Sequence, residues 1–460
     1  MKNFFNINQY SKKSRARLGE IITTHGVIKT PAFVPVATKG TLKSIPSIFI
    51  KNIGIQVAFV NTYHLVTHPG ADVIAAAGGI NKFAKLNIPL MSDSGGFQVF
   101  SLARRNEKAR SRVFRPPHPH LSRRGVPQAI DSKSESSLSR DMVKKADVRG
   151  EEEPLVIKIS EDGVKFRSTF DGKLIEFTPE KSMEYQRQIG ADINIAFDEC
   201  TYYPSTFEYA KKAMERTHQW LKRCINKVQS EKCKVQNNNA KLKIENSLKT
   251  ENCKLKTDQY LYGVIQGGTY EKLRKKSAQF VVEQNTDGVA IGGVSVGETK
   301  KEMRDQVKWV ADYLPKDRPV HLLGVGQFDD IIDLVKYGID TFDCVEPTRL
   351  ARNGKLYQLI KVQYHFFRPP HPEGPRRLAQ KRYFHLDYEI DILKSNYKND
   401  LTSVDEECEC YVCKNFTKAY LHHLFKQKEI LGYTLATYHN LWVMERFFER
   451  IRELIFNNKI

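Results

Sequence analysis

A chain of 460 residues with 40% hydrophobic content is long enough for one large core, or for a barrel with an appendage, and its composition fits a globular protein. The opening MKNFFNINQY lacks the apolar core of a signal peptide and no later stretch approaches the roughly 18 apolar residues of a membrane span, so a cytoplasmic enzyme is expected. The net charge of +20 suggests a polyanionic partner, but three basic segments described below hold +16 of it and leave +4 for the rest.

In chain order, short β-prone runs occupy 33–37, 57–61, 89–93, 193–199, 261–266, 288–292, 320–324 and 341–345, each ending in polar or glycine residues. Between them, apolar residues recur at helical spacing over 179–189, 205–227, 270–284, 300–313 and 329–336. Alternating β and α over this length predicts an α/β fold, either a (β/α)8 TIM barrel or a doubly wound sheet. No phosphate-binding glycine fingerprint follows the first strand, which favours the barrel.

Three segments break the alternation. Residues 104–149 are rich in Arg, Ser, Pro and Lys, residues 229–258 in Lys and Asn, and residues 359–384 are basic with several prolines. The hexapeptide FRPPHP occurs at 114–119 and again at 367–372. Lengthening a surface loop costs only a logarithmic entropy term, so all three are expected to be poorly ordered insertions that the fold can spare. A barrel is thus expected over 1–400, carrying these insertions, with a helical subdomain over 401–460.

In such barrels the reactive side chains project from the C-terminal ends of the strands. Asp93 closes the third run in MSDSGGFQVFS, Asp198 and Glu199 the fourth in INIAFDEC, Gln266 the fifth in YGVIQGG, and Asp343 lies in the eighth in TFDCV. One such Asp reads as a helix cap or ion-pair partner; three on different strands of one barrel read as a site. Paired carboxylates beside a sugar carbon suit glycosidic chemistry, one as nucleophile and one handling protons. Glycine pairs just past several strand ends would let the backbone approach a flat ligand.

Near the C-terminus, Cys408, Cys410 and Cys413 form C-x-C-x-x-C, a knuckle able to present three thiolates to one ion. Spacing alone leaves His422, His423 and His439 open as the fourth ligand. The other five cysteines read as structural or incidental.

Taken together, DSGGFQVFSL, FDEC followed by YAKKAMERT, GVIQGG, AIGGVSVGE, LLGVG, FDCVEPTRLARNG and CECYVC…YLHHL…HNL resemble the bacterial tRNA-guanine transglycosylases, from about residue 14 to about 455 outside the insertions. The resemblance implies exchange of the wobble guanine of GUN-anticodon tRNAs for preQ1 in queuosine biosynthesis, through a covalent aspartyl–ribose intermediate. It makes Asp343 the nucleophile at C1′ and Asp93 the general acid/base. Asp198 would bind the amidine edge of the purine, Gln266 and the amide of Gly293 its carbonyl edge, and Phe97 would stack on its face. Glu298 would support the peptide Val294–Ser295, and Val296 would favour preQ1 over the bulkier queuine. Val294 and Leu323 stand where Leu and Met are usual, which alters the pocket by about a methylene. Arg349 and Arg352 match anticodon-loop contacts, and a target base that must reach a barrel mouth has to flip out of its stack. The resemblance also implies one structural Zn2+ with His439 as its fourth ligand, and a homodimer.

Three other readings are weaker. A glycoside hydrolase would admit water and release free sugar, and has no use for the cysteine knuckle. A non-catalytic tRNA-binding subunit would not be expected to keep both Asp93 and Asp343. The archaeal sister enzymes carry a further RNA-binding module, for which little chain follows the knuckle.

Overall fold

A computed structural model describes residues 4–96, 156–168, 170–244, 259–359 and 388–460. Most of the expected insertions, 104–149, 245–258 and 360–384, lie outside the described residues, as do both FRPPHP copies and Phe97.

The chain starts with an antiparallel sheet of β1 (Phe5–Tyr10), β2 (Arg17–Thr23) and β3 (Gly26–Thr30). Then come β4 (Ala32–Pro35), β5 (Ala58–Val60) and β6 (Leu90–Ser92), a second antiparallel sheet of β7 (Val156–Ile159), β8 (Val164–Arg167) and β9 (Leu174–Phe177), and β10 (Ile193–Ile195). The remainder are β11 (Tyr260–Ile265), β12 (Gly288–Ile291), β13 (Val320–Leu322), β14 (Thr341–Cys344) and a hairpin-like pair, β15 (Lys355–Tyr357) with β16 (Glu389–Asp391).

Eight parallel strands run in the order β4-β14-β13-β12-β11-β10-β6-β5. A bridge between Val36 and Phe59 joins the two ends, so the sheet closes as the expected (β/α)8 barrel. Each expected run overlaps one of these strands, β4 and β11 starting one residue earlier than expected. Parallel strands are buried on both faces, inside the barrel and beneath the helices, which is why they read as continuous apolar runs rather than alternating ones. Val34, Phe59, Met91, Ile193, Ile195, Val264 and Ala290 fill the interior, while Phe33, Val60, Leu90, Ile291, Leu322 and Phe342 join the outer core under the helices.

The helices carry the end signals that local chemistry requires. Thr178 caps Pro179–Ile189 by accepting from the Lys181 amide, with Pro179 in the first turn and Gly190 left-handed at the end. Thr299 and Glu302 form a capping box on Lys300–Val310. The helix begun at Phe207 does not stop near 227 but runs to Ile244, so the first half of the expected 229–258 insertion is helical. The physical reason is that 229–244 contains neither Gly nor Pro, and its Lys, Gln, Glu, Ala and Leu residues cost a helix little.

The first sheet stoppers the N-terminal end of the barrel: Phe5, Ile21 and Ile28 pack into the interior core, and Phe4 stacks on Tyr260. Buried Arg17 there pairs with Asp340 at 2.6 Å and donates to the carbonyls of Lys316 and Arg318. On the outside, the long helix Ile430–Phe456 lies against β4, β15 and the helix Glu346–Arg352, with Phe448 meeting Phe33 and Phe342. Among the described residues no helix is long and apolar enough to cross a membrane.

Candidate active site

Register decides which side chains enter the barrel. On β14, Asp343 is aligned with Val34 of β4 and Thr341 with Ala32, so both share the interior face while Phe342 points outward. Asp343 therefore sits inside the C-terminal mouth. Its Oδ1 accepts the Gly324 amide at 2.9 Å and lies 3.2 Å from His321 Nε2.

Asp93 follows β6, where its amide donates the last ladder bond to the Val60 carbonyl. One carboxylate oxygen accepts the amides of Thr62 (2.7 Å) and Gly95 (3.1 Å), and the other accepts Asn61 Nδ2. Asn61 also caps the helix Thr62–Thr67, so the start of that helix and the carboxylate brace each other. Burial pushes Asp93 up to about 7; the Thr62 and Gly95 amides oppose this, and the charges of Asp343 and Asp198 add to it. A carboxyl group that titrates near neutrality can both give and take a proton.

Asp198 follows β10. It accepts the Ser94 hydroxyl at 3.0 Å and Gln266 Nε2 at 2.7 Å. Burial raises it to about 6 against those two hydrogen bonds, with Glu199 adding to the rise, so at neutral pH it is mainly ionised. Glu199, its neighbour, is turned away: it accepts from Arg216 and from the Tyr209 hydroxyl at 2.8 Å, a structural pairing.

Gln266 Oε1 is buried without a hydrogen-bond partner. Such an orphaned acceptor is costly unless a ligand donor meets it. Gly293 makes room beside it: its φ of +63° is left-handed, and a Cβ there would come within 2.3 Å of that oxygen. Beyond it, Glu298 accepts the amides of Ser295 (2.6 Å) and Val296 (2.9 Å), gripping the turn that carries buried Val294.

The sequence reading missed Arg274. Its guanidinium is fully buried and donates to the carbonyls of Gly268, Gly292 and Gly293 at 2.6–2.7 Å and to Gln306, tying both glycine turns together. It lies on the helix Glu271–Glu283, where an Arg ordinarily reads as solvated.

Arg349 and Arg352 stand just past β14 on the helix Glu346–Arg352 and form no ion pair among the described residues. Lys39, Lys43 and His64 share their electrostatic surroundings. Burial, then Arg352, Lys39 and Arg349, lower Lys43, and burial, then Lys39 and Lys43, lower His64. Mutual repulsion of this kind favours an anion at the rim of the mouth.

Away from the mouth, Cys408, Cys410, Cys413 and His439 place their ligand atoms within 4.8 Å of one another. His439 Nδ1 lies 3.8, 3.4 and 3.4 Å from the three sulfurs, while its Nε2 donates to the Tyr357 carbonyl at 2.7 Å, which fixes the ring and leaves Nδ1 to a metal. His422 is committed elsewhere, to the Ile392 carbonyl at 2.7 Å. Three thiolates and an imidazole suit a tetrahedral ion with no open position.

The structure thus gathers Asp93, Asp198, Gln266, Gly293 and Asp343 from five strand ends. They set three carboxyl groups, two of them raised by burial, beside a slot lined by the Gln266 amide and the turn at Gly293.

Comparison with known proteins finds relatives along nearly the whole chain. The family model described as queuine tRNA-ribosyltransferase matches residues 11–118 and 147–460. The chain is 38% identical over 448 residues to the queuine tRNA-ribosyltransferase of Thermoanaerobacter pseudethanolicus, covering 97% of this chain and 92% of the relative. It is 36% identical over 459 residues to that of Herpetosiphon aurantiacus (100% and 90%). It is also 35% identical over 441 residues to a putative queuine tRNA-ribosyltransferase of Archaeoglobus fulgidus (96% and 93%).

Proposed function

The chain belongs to the queuine tRNA-ribosyltransferase family, and on that premise we propose that it exchanges the wobble guanine of GUN-anticodon tRNAs for preQ1 through an ester between Asp343 and the ribose. It is a tRNA-guanine transglycosylase, a glycosyltransferase of queuosine synthesis. The observation that carries the covalent reading is the sharing of one field by Asp93 and Asp343, which come from separate strands, with Asp93 held near neutrality.

In the first step an oxygen of Asp343 bonds to C1′ as the C1′–N bond breaks, its electron pair leaving with guanine, and protonated Asp93 supplies the departing base with a proton. In the second, the ring N–H of the entering base passes its proton to the Asp93 carboxylate. The freed nitrogen pair then bonds to C1′ and the Asp343 carboxylate leaves. Asp198, ionised at neutral pH, accepts two N–H groups of the amidine edge. The second Nε2 hydrogen of Gln266, the first being given to Asp198, and the Gly293 amide donate to the carbonyl edge, while Gln266 Oε1 is left for a ring N–H, and Phe97 stacks on the ring. Glu298 holds the Val294–Ser295 peptide against the aminomethyl group of preQ1, and Val296 disfavours queuine. Incubating purified protein with tRNA labelled in its wobble guanine should release label when preQ1 is added. Release of label without incorporation of preQ1, leaving an abasic site in the tRNA, would support a hydrolase.

Arg349 and Arg352 grip the anticodon loop, supported by their unpaired charges beside Lys39 and Lys43. Replacing both with Ala should weaken tRNA binding and lower the log–log salt slope by about 2. A filter-binding titration over salt checks this, and an unchanged slope would remove both residues from the interface.

The ion is a single Zn2+ held by Cys408, Cys410, Cys413 and His439, and when bound it cross-links the last helices rather than entering the reaction. Chelation, or Cys410→Ser, should lower the melting temperature by more than about 5 °C. Metal analysis and calorimetry test this, and a melting curve indifferent to chelator would contradict it.

A catalytic barrel over 1–400 with a zinc subdomain over 401–460 is the corresponding division. A homodimer is supported by the exposed rings of Tyr411 and Tyr420, both of which meet the half-buried Phe416. A tRNA substrate supports a cytoplasmic location.

A further inference from the structure

We propose that His321 is a positioning residue for the nucleophile: with the Gly324 amide it pins one oxygen of Asp343, so that the other attacks, and it meets the charge that returns to the carboxylate when the ester is broken. This rests on the covalent reading above.

His321 lies on β13, aligned with Ala290 of β12 and Thr341 of β14, so its ring shares the interior face with Thr341 and Asp343. It is completely buried. Three contacts remove its freedom. Nδ1 is 2.8 Å from the Thr341 hydroxyl, Nε2 is 3.2 Å from Asp343 Oδ1, and the ring stacks on Phe59 with centroids 5.6 Å apart at 15°. A Thr341 hydroxyl that donates to Nδ1 leaves the proton on Nε2, aimed at the carboxylate.

The recorded hydrogen bonds of the Asp343 carboxylate, from Gly324 and from His321, both fall on Oδ1. Among the described residues none falls on Oδ2. The two oxygens are therefore inequivalent: Oδ2 carries the available lone pairs and forms the bond to C1′, and Oδ1 becomes the ester carbonyl. Little charge remains on Oδ1 in the ester. As the entering nitrogen bonds to C1′ and the C1′–Oδ2 bond breaks, its electron pair returns to the carboxylate, and the two N–H donors hold Oδ1 as it regains charge. A hydrogen bond that strengthens as charge develops lowers the barrier rather than merely binding substrate.

The test compares His321→Gln, whose amide reaches toward the Nε2 position, with His321→Asn, which stops near Nδ1. Both are polar and smaller than the histidine; Asn also leaves a further methylene-sized gap, so melting temperatures of both variants are read alongside to separate packing loss from loss of the donor to Asp343. Single-turnover rates of covalent tRNA adduct formation without added base, and of its discharge by added guanine, are read on denaturing gels, together with tRNA affinity. We expect the Asn variant to be slowed about ten- to a hundredfold in discharge, and by less in adduct formation, where the same donor also stabilises the starting carboxylate, with unchanged tRNA affinity. The Gln variant should recover most of that loss. Equal rates in the Asn variant and wild type, equal impairment of Asn and Gln, or an effect confined to tRNA affinity would overturn the role of His321 while leaving the nucleophile in place. No adduct in the wild type would instead remove the covalent reading and this inference with it.

Discussion

Asp343→Asn should yield no tRNA adduct that survives denaturation, and guanine exchange should fall by a factor on the order of 10^4 or more. An amide has no anionic lone pair to offer C1′, so the ester cannot form. The shape of the site is retained: an asparagine oxygen in the Oδ1 position still accepts from Gly324 and His321. The variant should therefore fold and bind tRNA, which separates lost chemistry from lost structure. Loss of the neighbouring charge should also lower the titration of Asp93, since Asp343 is one of the groups that raise it. A denaturing gel together with a binding titration measures both arms, and an adduct persisting in this variant would refute the assignment of the nucleophile.

Asp93→Asn should slow turnover by roughly 10^2- to 10^4-fold while tRNA binding is largely kept. The wild-type profile carries the signature to look for. Because burial holds Asp93 at about 7, the form that protonates the departing base is lost as pH rises through 7, and the form that deprotonates the entering base is lost as pH falls through it. The steps thus need opposite forms, and the inflection near pH 7 should vanish in the variant. The same shift bears on stability. The folded value lies above the unfolded one of 3.8, so this group's contribution is fully present below about pH 4 and declines as pH rises through 7. The melting temperature should fall over that window by less in Asp93→Asn than in the wild type. An unaltered pH–rate profile would count against the proton-handling role.

How much of this was legible in the sequence depended on whether burial left a pattern. The barrel strands did, because two buried faces give apolar runs that end in the polar residues of the mouth, which exposed Asp93, Asp198, Gln266 and Asp343 together. The stopper sheet did not: β1 reads FNINQY with mixed burial, and its pairing with β2 shifts register between Ile7 and Gln9. The cysteine knuckle was legible from its spacing, but choosing among His422, His423 and His439 needed either family resemblance or coordinates, since the ligand arrives from a helix a long way along the chain. His321 was invisible within VHLLGVG, where a lone histidine passes for core filling; only register shows that it faces the carboxylate. Arg274 was hidden for the opposite reason, a cation on an amphipathic helix whose partners are main-chain carbonyls that no side-chain pattern reveals. The helical stretch 229–244 was misjudged because its low complexity resembled a loop, although it contained nothing to break a helix.

The most direct measurement is mass spectrometry of the wild-type protein incubated with tRNA, denatured, and digested with nuclease and protease. The account predicts a ribose-linked nucleotide on the peptide containing Asp343, formed without added base and lost when preQ1 is supplied. Attachment to another residue, or base exchange proceeding with no attached species at all, would contradict it.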